Sequence, residues 1–165
     1  MSQQKYYHWH NVILCTKMNT SFKIIHDNQN NKKLLDEISL SYEERFIRRK
    51  KLTANNGTEF LVNLKETVSV DENNFFELEN GNLIKVLSKE ENLIEITGDN
   101  LKQIIWHIGN RHLPCQIEEN RILIQDDAVI LDMVLKLHGN VKKVMEKFNP
   151  EGGAYGLGRT HSHKH

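Results

Sequence analysis

The spacing of apolar residues changes once along this chain, near residue 88. Before that point apolar and polar residues alternate, which is typical of strands with one buried face. The clearest example is the series Ile38, Leu40 and Tyr42. After that point apolar residues recur with the period of an amphipathic helix. These residues are Leu101, Ile104, Ile105 and Ile108. The change predicts a β-rich N-terminal domain over residues 1–88 and a second domain, with helices, over residues 89–150.

Turn sequences divide the first domain into strands. Asn55-Asn56-Gly57 supplies residues that tolerate positive φ, so it predicts a β-hairpin between the strands Phe46–Leu52 and Phe60–Leu64. The polar run from Ser21 to Lys33 ends in an Asn-rich segment that predicts a loop. Other strands are predicted at Val12–Cys15, Phe76–Leu78 and, after Asn80-Gly81-Asn82, Leu83–Leu87.

The second domain follows the order β-α-β-β-α-β, which is the ferredoxin-like arrangement. Its strands are predicted at Leu93–Thr97, Cys115–Ile117, Arg121–Ile124 and Val141–Phe148. We expect Asp126 or Asp127 to cap the second helix and Gly139 to stop it. The fold class is therefore α+β.

The first helix has a start signal and a stop signal. Asp99 is a good N-cap residue directly before the apolar stripe. Pro114 disfavours helical geometry at Leu113, the residue before it, so we expect the helix to end between Gly109 and His112.

The composition excludes several classes of partner. Lys plus Arg (22) balance Asp plus Glu (22), so the formal net charge is zero and no global attraction to nucleic acid, membrane or acidic substrate is expected. No run of residues has the apolar length of a membrane span, and the N-terminus lacks the apolar core of a secretory signal. We expect a cytoplasmic protein, in which free thiols at Cys15 and Cys115 are favoured over a single disulfide between them.

The chain ends in closely spaced histidines. His161, His163 and His165 alternate with other residues, and in an extended chain such neighbours project to one side, roughly 6 to 7 Å apart. Four glycines between Gly152 and Gly158 predict a flexible tail over residues 151–165. The histidines point to capture of a metal ion, since imidazole suits nickel, copper and zinc. The plainer interpretation is a purification-tag remnant or a polar tail.

A further histidine lies where the first helix gives way to a loop. If the helix is continued to His112, this residue falls on the apolar stripe with Ile104 and Ile108, on the buried side. A histidine there is usually a core residue satisfied by a backbone carbonyl. In a two-fold dimer across the stripe, however, His112 would meet its own copy and form half of a metal site.

Two neighbours of His112 are weaker candidates. His107 lies about 140° around the helix from His112, so the two cannot chelate one ion, and we interpret His107 as a surface histidine with a secondary metal role. Cys115 would favour zinc or copper as a thiolate, but a small buried side chain is the simpler interpretation.

Two segments of the chain resemble the UreE family, the urease accessory proteins that carry nickel. The first is His107-Ile108-Gly109-Asn110-Arg111-His112-Leu113-Pro114, followed by Gln116-Ile117. The second is Phe148-Asn149-Pro150-Glu151-Gly152-Gly153-Ala154-Tyr155 with its histidine-bearing tail. The resemblance extends from about residue 36 to the C-terminus and weakens before residue 30.

The resemblance implies a fold, a cargo and partners. It implies a homodimer with a β-rich N-terminal and a ferredoxin-like C-terminal domain. In the family the histidine matching His112 binds nickel with its symmetry mate, and C-terminal histidines, here His161, His163 and His165, complete the site. Binding to the urease-activating GTPase and to apo-urease is also implied. Cys115 stands where we expect an apolar residue, which leaves the metal preference open.

Other function classes fit less well. A hydrolytic enzyme would need a nucleophile with its base, or an open metal site, and no such motif or P-loop is present. The basic run Arg48–Lys51 suggests RNA binding, but it lies in a predicted strand and is better interpreted as a solvated strand face. General binding or storage of divalent zinc or copper is the closest alternative to nickel transport.

Overall fold

The computed structural model describes residues 18–152, and this part of the chain contains two β-sheets and two helices. Neither helix is long and apolar enough to cross a lipid bilayer. The first sheet consists of β1 (Asn19–Ile25), β2 (Leu34–Leu40), β3 (Phe46–Thr53), β4 (Glu59–Ser69), β5 (Phe75–Leu78) and β6 (Leu83–Ser88). The second consists of β7 (Glu90–Thr97), β8 (Gln116–Ile117), β9 (Ile122–Gln125) and β10 (Asn140–Lys147), with helices α1 (Leu101–Gly109) and α2 (Ala128–Lys136).

The first sheet has the strand order β2-β6-β5-β1-β4-β3. The predicted hairpin is confirmed, because β3 and β4 pair antiparallel around a turn in which Gly57 has a φ of 89°. Alternate side chains of β2, β4, β5 and β6 enter one apolar cluster, as the sequence periodicity predicts. Its fully buried members include Phe60, Val62, Val70, Phe76, Ile84 and Val86.

Strand β1 was missed by the sequence analysis. It runs through the start of the polar segment, and only Ser21 among its residues is buried, so apolar alternation gives no signal. Hydrogen bonding to β4 on one side and β5 on the other holds it in the sheet. Residues 27–33, the Asn-rich remainder, contain no strand or helix, which confirms the predicted loop. The predicted strand Val12–Cys15 lies outside the described residues.

The second sheet has the strand order β10-β7-β9-β8, with every neighbouring pair antiparallel. Both helices pack on one face of it. That face and the helices share an apolar cluster, which includes Ile94, Ile96, Ile122, Ile124, Ile104, Ile108, Ile130 and Val134. The opposite face carries Leu93 and Leu123, which pack with Tyr42 and Phe148 and so connect the two sheets.

The helix caps differ in part from the prediction. Asp127 caps α2 as predicted, accepting hydrogen bonds from the backbone N–H groups of Val129 and Ile130 at 2.8 and 3.0 Å. The prediction for α1 was wrong, because Asn100, not Asp99, is the N-cap residue and makes no side-chain cap. The helix begins at Leu101, one residue later than Asp99 would require; Asn100 has φ −96° and ψ 18°, and Asp99 is exposed one residue before it.

The end of α2 corrects a second expectation. Gly139 lies just past the helix, but the left-handed residue there is His138, with a φ of 58°. Gly139 is needed for packing instead: a Cβ atom at this position would lie 2.7 Å from Val134 Cγ1 and 2.9 Å from Ile104 Cδ1.

The carboxylate of Asp36, in β2, is hydrogen-bonded to the β3–β4 turn. Its carboxylate, 3% exposed, accepts hydrogen bonds from the N–H groups of Glu37 at 2.8 Å, Asn56 at 3.2 Å and Thr58 at 3.4 Å. Burial acts to raise the pKa of Asp36, but the hydrogen bonds from Thr58, Glu37 and Asn56 outweigh it and hold this pKa below 3.8. The ionised form therefore stabilises the fold.

We predict that Asp36→Ala lowers the free energy of unfolding at neutral pH by about 2 kcal/mol, since it removes the buried acceptor of the N–H groups of Glu37, Asn56 and Thr58. A depressed pKa in the folded state contributes stability above the unfolded value of 3.8 that is lost as pH falls through the folded value. The difference in unfolding free energy between wild type and variant should therefore narrow as the pH falls below 3.8. Urea denaturation at neutral pH and over a series of acidic pH values measures this difference. The exposed carboxylate Asp99, changed to Ala, is the control, and an equal loss there would contradict the assignment.

Candidate metal centre

The structure places His112 on the surface, in a sharp turn after α1. The helix ends at Gly109, and His112 adopts a left-handed backbone with a φ of 55°. Its N–H donates to the Gly109 carbonyl at 2.9 Å, and the N–H of Leu113 donates to the Ile108 carbonyl at 3.5 Å. These two bonds form a Schellman motif, the usual closure of a helix C-terminus.

The expectation that His112 continues the apolar stripe was wrong. The stripe holds for Ile104 and Ile108, which are fully buried, but the chain has left the helix before His112. The side chain is exposed, so it is not a core histidine either. An exposed imidazole is accessible both to a metal ion and to a second protein chain.

The left-handed conformation of His112 has an energetic cost. Glycine is the preferred residue at this position of a Schellman motif, and an L-residue there is disfavoured by about 1 kcal/mol. Residues held in such conformations cluster at functional sites. The imidazole is therefore kept at a position where the backbone alone would favour glycine.

His107 and Trp106 lie one to two turns before His112. The indole of Trp106 packs edge-on against the His107 ring, with centroids 4.9 Å apart, and Arg111 donates a hydrogen bond to the His107 carbonyl at 3.0 Å. Within residues 18–152 no three His, Cys, Asp or Glu side chains are grouped to hold a metal ion. His107 and His112 are thus not brought together into a site within one chain, and a metal role for either stays a prediction.

Cys115 is a buried member of the apolar cluster beneath the helices. Burial raises the pKa of its thiol, and the negative charge of Glu151 raises it further. This confirms the interpretation of Cys115 as a small buried side chain and makes its thiolate form unfavourable at neutral pH.

The start of the C-terminal segment lies beside the His112 loop. The N–H of Glu151 donates to the Cys115 carbonyl at 2.9 Å, and the N–H of Asn149 donates to Gln116 Oε1 at 2.8 Å. Cys115 follows His112 by three residues. His161, His163 and His165 lie outside the described residues, and the last described contact before them is the one from Glu151 to Cys115, three residues along the chain from His112.

Asn149 joins this segment to both sheets. Its side-chain Oδ1 accepts hydrogen bonds from Arg45 at 3.0 Å and Ser88 at 2.7 Å, and its Nδ2 donates to Glu72 at 3.0 Å. The guanidinium of Arg45, 4% exposed, also donates to the Phe148 carbonyl. Hydrogen bonding from Lys147 and Asn149 keeps the pKa of Glu72 below its usual value, against the effect of burial.

The sequence did not predict these hydrogen bonds of Asn149. Arg45 and Asn149 are 104 residues apart, and hydrophobic periodicity carries no information about such polar contacts. The only signal was the position of Asn149 inside the Phe148–Tyr155 segment, which the family resemblance singled out without giving a reason.

Comparison with known proteins covers both sheets. Residues 22–89 match the family model described as the UreE urease accessory protein, N-terminal domain, and residues 91–165 match the model of its C-terminal domain. The chain is similar to a urease accessory protein UreE of Ruegeria pomeroyi, 52% identical over 79% of this chain and 87% of the relative. A UreE of Rhodobacter capsulatus is 50% identical over 79% of this chain and 83% of the relative. A UreE of Agrobacterium fabrum is 41% identical over 76% of this chain and 80% of the relative.

We predict that His112→Gly does not destabilise the fold and raises the free energy of unfolding by up to about 1 kcal/mol, because glycine relieves the left-handed strain. His138→Gly is the matched control, since His138 closes α2 with the same pair of hydrogen bonds, to Leu135 and, through Gly139, to Val134. Thermal and urea denaturation measure both variants. A clear loss of stability in His112→Gly alone would show that the imidazole supports the fold rather than a ligand.

Proposed function

The chain belongs to the UreE family of urease accessory proteins, and from this premise we propose that it is a cytoplasmic metallochaperone that carries nickel as a homodimer and donates it for assembly of the urease active site. The family consists of accessory proteins, so the chain is not an enzyme. The observation that carries the proposal is the exposed, left-handed His112 at the end of α1.

The nickel site is shared between two copies of the chain. One imidazole is too few ligands for a stable site, and a two-fold contact at the end of α1 brings His112 to its counterpart in the second copy. Neutral imidazole nitrogen is a good donor for nickel. The pair of His112 rings therefore forms the centre of the site.

Tail histidines complete the coordination. His161 follows Glu151 by ten residues, and ten residues span at most roughly 35 Å. Glu151 is hydrogen-bonded beside the His112 loop, so this length is sufficient to reach the site in the same chain or in its partner. Tethering raises the effective concentration of His161, His163 and His165 near the ion without a permanent contact.

Release of the ion follows from the same ligands. Imidazole must be deprotonated to bind metal, so each ligand exchanges with protons, and a tethered ligand can leave without unfolding the dimer. The recipients are the urease-activating GTPase and apo-urease, as the family resemblance implies.

The architecture supports a division into a β-rich domain over residues 1–88, a metal-binding domain over residues 89–150 and a C-terminal tail over residues 151–165. A single residue, Lys89, separates β6 from β7, where the first sheet ends and the second begins. In chain order a helix follows β7 and another follows β9, and this order together with the strand order β10-β7-β9-β8 supports a ferredoxin-like fold for this domain.

General storage of zinc or copper is the alternative. A thiolate ligand would favour it, but Cys115 is buried and its thiol pKa is raised. Imidazole nitrogen alone does not select nickel over copper or zinc. A binding experiment in which the three metals compete for the protein therefore distinguishes nickel transport from storage of zinc or copper.

RNA binding is disfavoured by the surface of the second sheet. Arg121 is surrounded by Glu95, Glu118 and Glu146 at 2.6 to 2.8 Å, three carboxylates against one cation. Such a surface repels phosphate. The basic run Arg48–Lys51 is exposed on edge strand β3, which confirms it as a solvated strand face, and charge on an edge strand protects against aggregation.

We predict that the wild-type protein binds a single nickel ion tightly per pair of chains and that His112→Gly abolishes this site, because the central imidazole pair is lost. Isothermal titration calorimetry and native mass spectrometry measure affinity and stoichiometry. Glycine preserves the backbone, so a loss of binding cannot be assigned to unfolding. His138→Gly should bind nickel like the wild type, and an undiminished tight site in His112→Gly would disprove the assignment.

We also predict that changing His161, His163 and His165 together to Gln weakens nickel binding by about tenfold or more, or lowers its stoichiometry, because tethered ligands are removed. The fold should be unaffected, as measured by thermal denaturation. Combination with His112→Gly should cause little further loss at the tight site. Unchanged affinity and stoichiometry in the triple variant would exclude the tail from the site.

A further inference from the structure

Strands β1 and β4 separate along their length and leave a cleft in the first sheet. Among the described residues, their parallel pairing covers only Asn19–Ser21 and Phe60–Val62. Beyond this pairing, residues of both strands line the cleft, including Phe22 and Ile24 of β1 and residues 64–69 of β4. Its volume is about 1250 Å³, whereas pockets for small molecules reach about 1,000 Å³. The cleft is therefore large enough to hold a segment of polypeptide.

Apolar side chains are exposed along this cleft. Phe22 is 52% exposed and Phe46 is 38% exposed, and the half-buried Ile24 and Val68 also line it. Apolar and aromatic side chains grouped on a surface usually mark a site that binds another molecule. Since the described pairing of β1 with β4 ends at Ser21, an extended chain finds strand edges here to which it can add as a further strand. The cleft therefore fits an extended segment with apolar side chains.

The C-terminal segment of the chain starts at this cleft. Residues 150–152 form part of the cleft wall. Residues 153–165 lie outside the described residues, but Tyr155 follows Gly152 by only three residues, and three residues span at most roughly 11 Å. The cleft is therefore within reach of Tyr155 of the same chain.

The sequence after Gly152 alternates large and small residues. Tyr155, Leu157 and Arg159 are separated by Gly156 and Gly158. In an extended segment, the three large side chains project to one side and the two glycines lie on the other. Glycine also lets a backbone approach a neighbouring strand closely. This segment therefore has apolar side chains on the side that a cleft of this kind contacts.

The charge of the cleft also suits this segment. The charged residues that line it are four carboxylates and two cations, namely Glu66, Asp71, Glu72, Glu151, Arg45 and Lys65. Arg159 is the only charged residue between Gly152 and His161. The segment thus brings a positive charge to a surface with an excess of negative charge, which favours the contact.

We propose that the cleft between β1 and β4 binds residues 154–159 of the same chain, with Tyr155 and Leu157 packed against Phe22 and Phe46. The inference goes beyond the nickel site and does not depend on it. Continuity of the chain favours this occupant over a separate partner, because a tethered segment is present at a high effective concentration.

Occupation of the cleft shortens the reach of the tail histidines. His161 follows Leu157 by four residues and Glu151 by ten. Four residues span at most roughly 14 Å, and ten span at most roughly 35 Å. The histidines therefore reach a smaller region when the cleft is occupied, and release of the segment extends that region.

Trypsin cleavage of the full chain without metal tests the proposal. Arg159 is the only Lys or Arg between Lys147 and Lys164, so cleavage there reports on this segment. When docking is fast relative to cleavage, the rate follows the undocked fraction. We expect Phe22→Ser, and separately the double variant Tyr155→Ser with Leu157→Ser, to be cleaved at Arg159 at least about fivefold faster than the wild type. Mass spectrometry over time measures the rates.

Controls separate docking from other effects. Phe22→Ser leaves the cleaved sequence unchanged, and synthetic peptides of residues 153–165 give the intrinsic rates for both tail sequences. Leu34→Ser changes a side chain that is 46% exposed on the edge strand β2, away from the cleft, and should be cleaved like the wild type. Changing the three tail histidines to Gln should also leave the rate unchanged. Melting temperatures show whether each variant is folded.

The results distinguish this inference from the nickel proposal. Cleavage of the wild type as fast as that of the two variants overturns the docking, and so does acceleration by only one of them. Protection that disappears on dilution places the segment in the cleft of a second copy and overturns the intrachain assignment. In each of these cases the nickel site still stands if His112→Gly loses the ion.

Discussion

Two backbone hydrogen bonds at the end of α1, from His112 to Gly109 and from Leu113 to Ile108, reverse the direction of the chain. The reversal returns Leu113 to the apolar cluster under the helices and leaves the imidazole on the outside. Without it, a continued helix would carry His112 inward beside Ile108. The accessibility of the candidate ligand therefore depends on this backbone motif.

The same backbone motif also closes α2, where it allows a comparison with the end of α1. His138 closes α2 with the same hydrogen bonds and the same left-handed backbone. Its chain continues directly into β10, however, while the chain after His112 leads through Cys115 to the hydrogen bond with Glu151. Two histidines in one backbone conformation thus have different surroundings, because the chain after His112 is hydrogen-bonded through Cys115 to Glu151, at the start of the C-terminal segment. Asn149 fixes this start relative to both sheets: its side chain is hydrogen-bonded to Arg45, Ser88 and Glu72, and its N–H donates to Gln116 in β8.

Local patterns predicted the parts of this fold that depend on local chemistry. The Asn55-Asn56-Gly57 hairpin, the Asp127 cap and the β-α-β-β-α-β order of elements each follow from residues close in sequence. Strand β1 could not be found that way, since long-range pairing with β4 and β5 orders it and burial does not. The sequence did not predict the exposure of His112 for a related reason. Helical periodicity shows which residues would share a face if the helix continued, but it does not indicate that a left-handed residue ends the helix before His112. The chemistry of Cys115, in contrast, followed from its type, because a lone thiol in an apolar segment is usually buried.

A nitrogen-based half-site suits a carrier better than a closed site would. A thiolate from Cys115 would bind soft metals tightly, but burial and the charge of Glu151 both favour its protonated form. In the proposed function, one imidazole per chain would bind weakly alone, and affinity would arise only when two chains and their tethered histidines converge on the ion. Each of these contributions could then be withdrawn separately, by protonation or by departure of a tail ligand. The arrangement that makes the proposed site incomplete in one chain would therefore also make its cargo transferable.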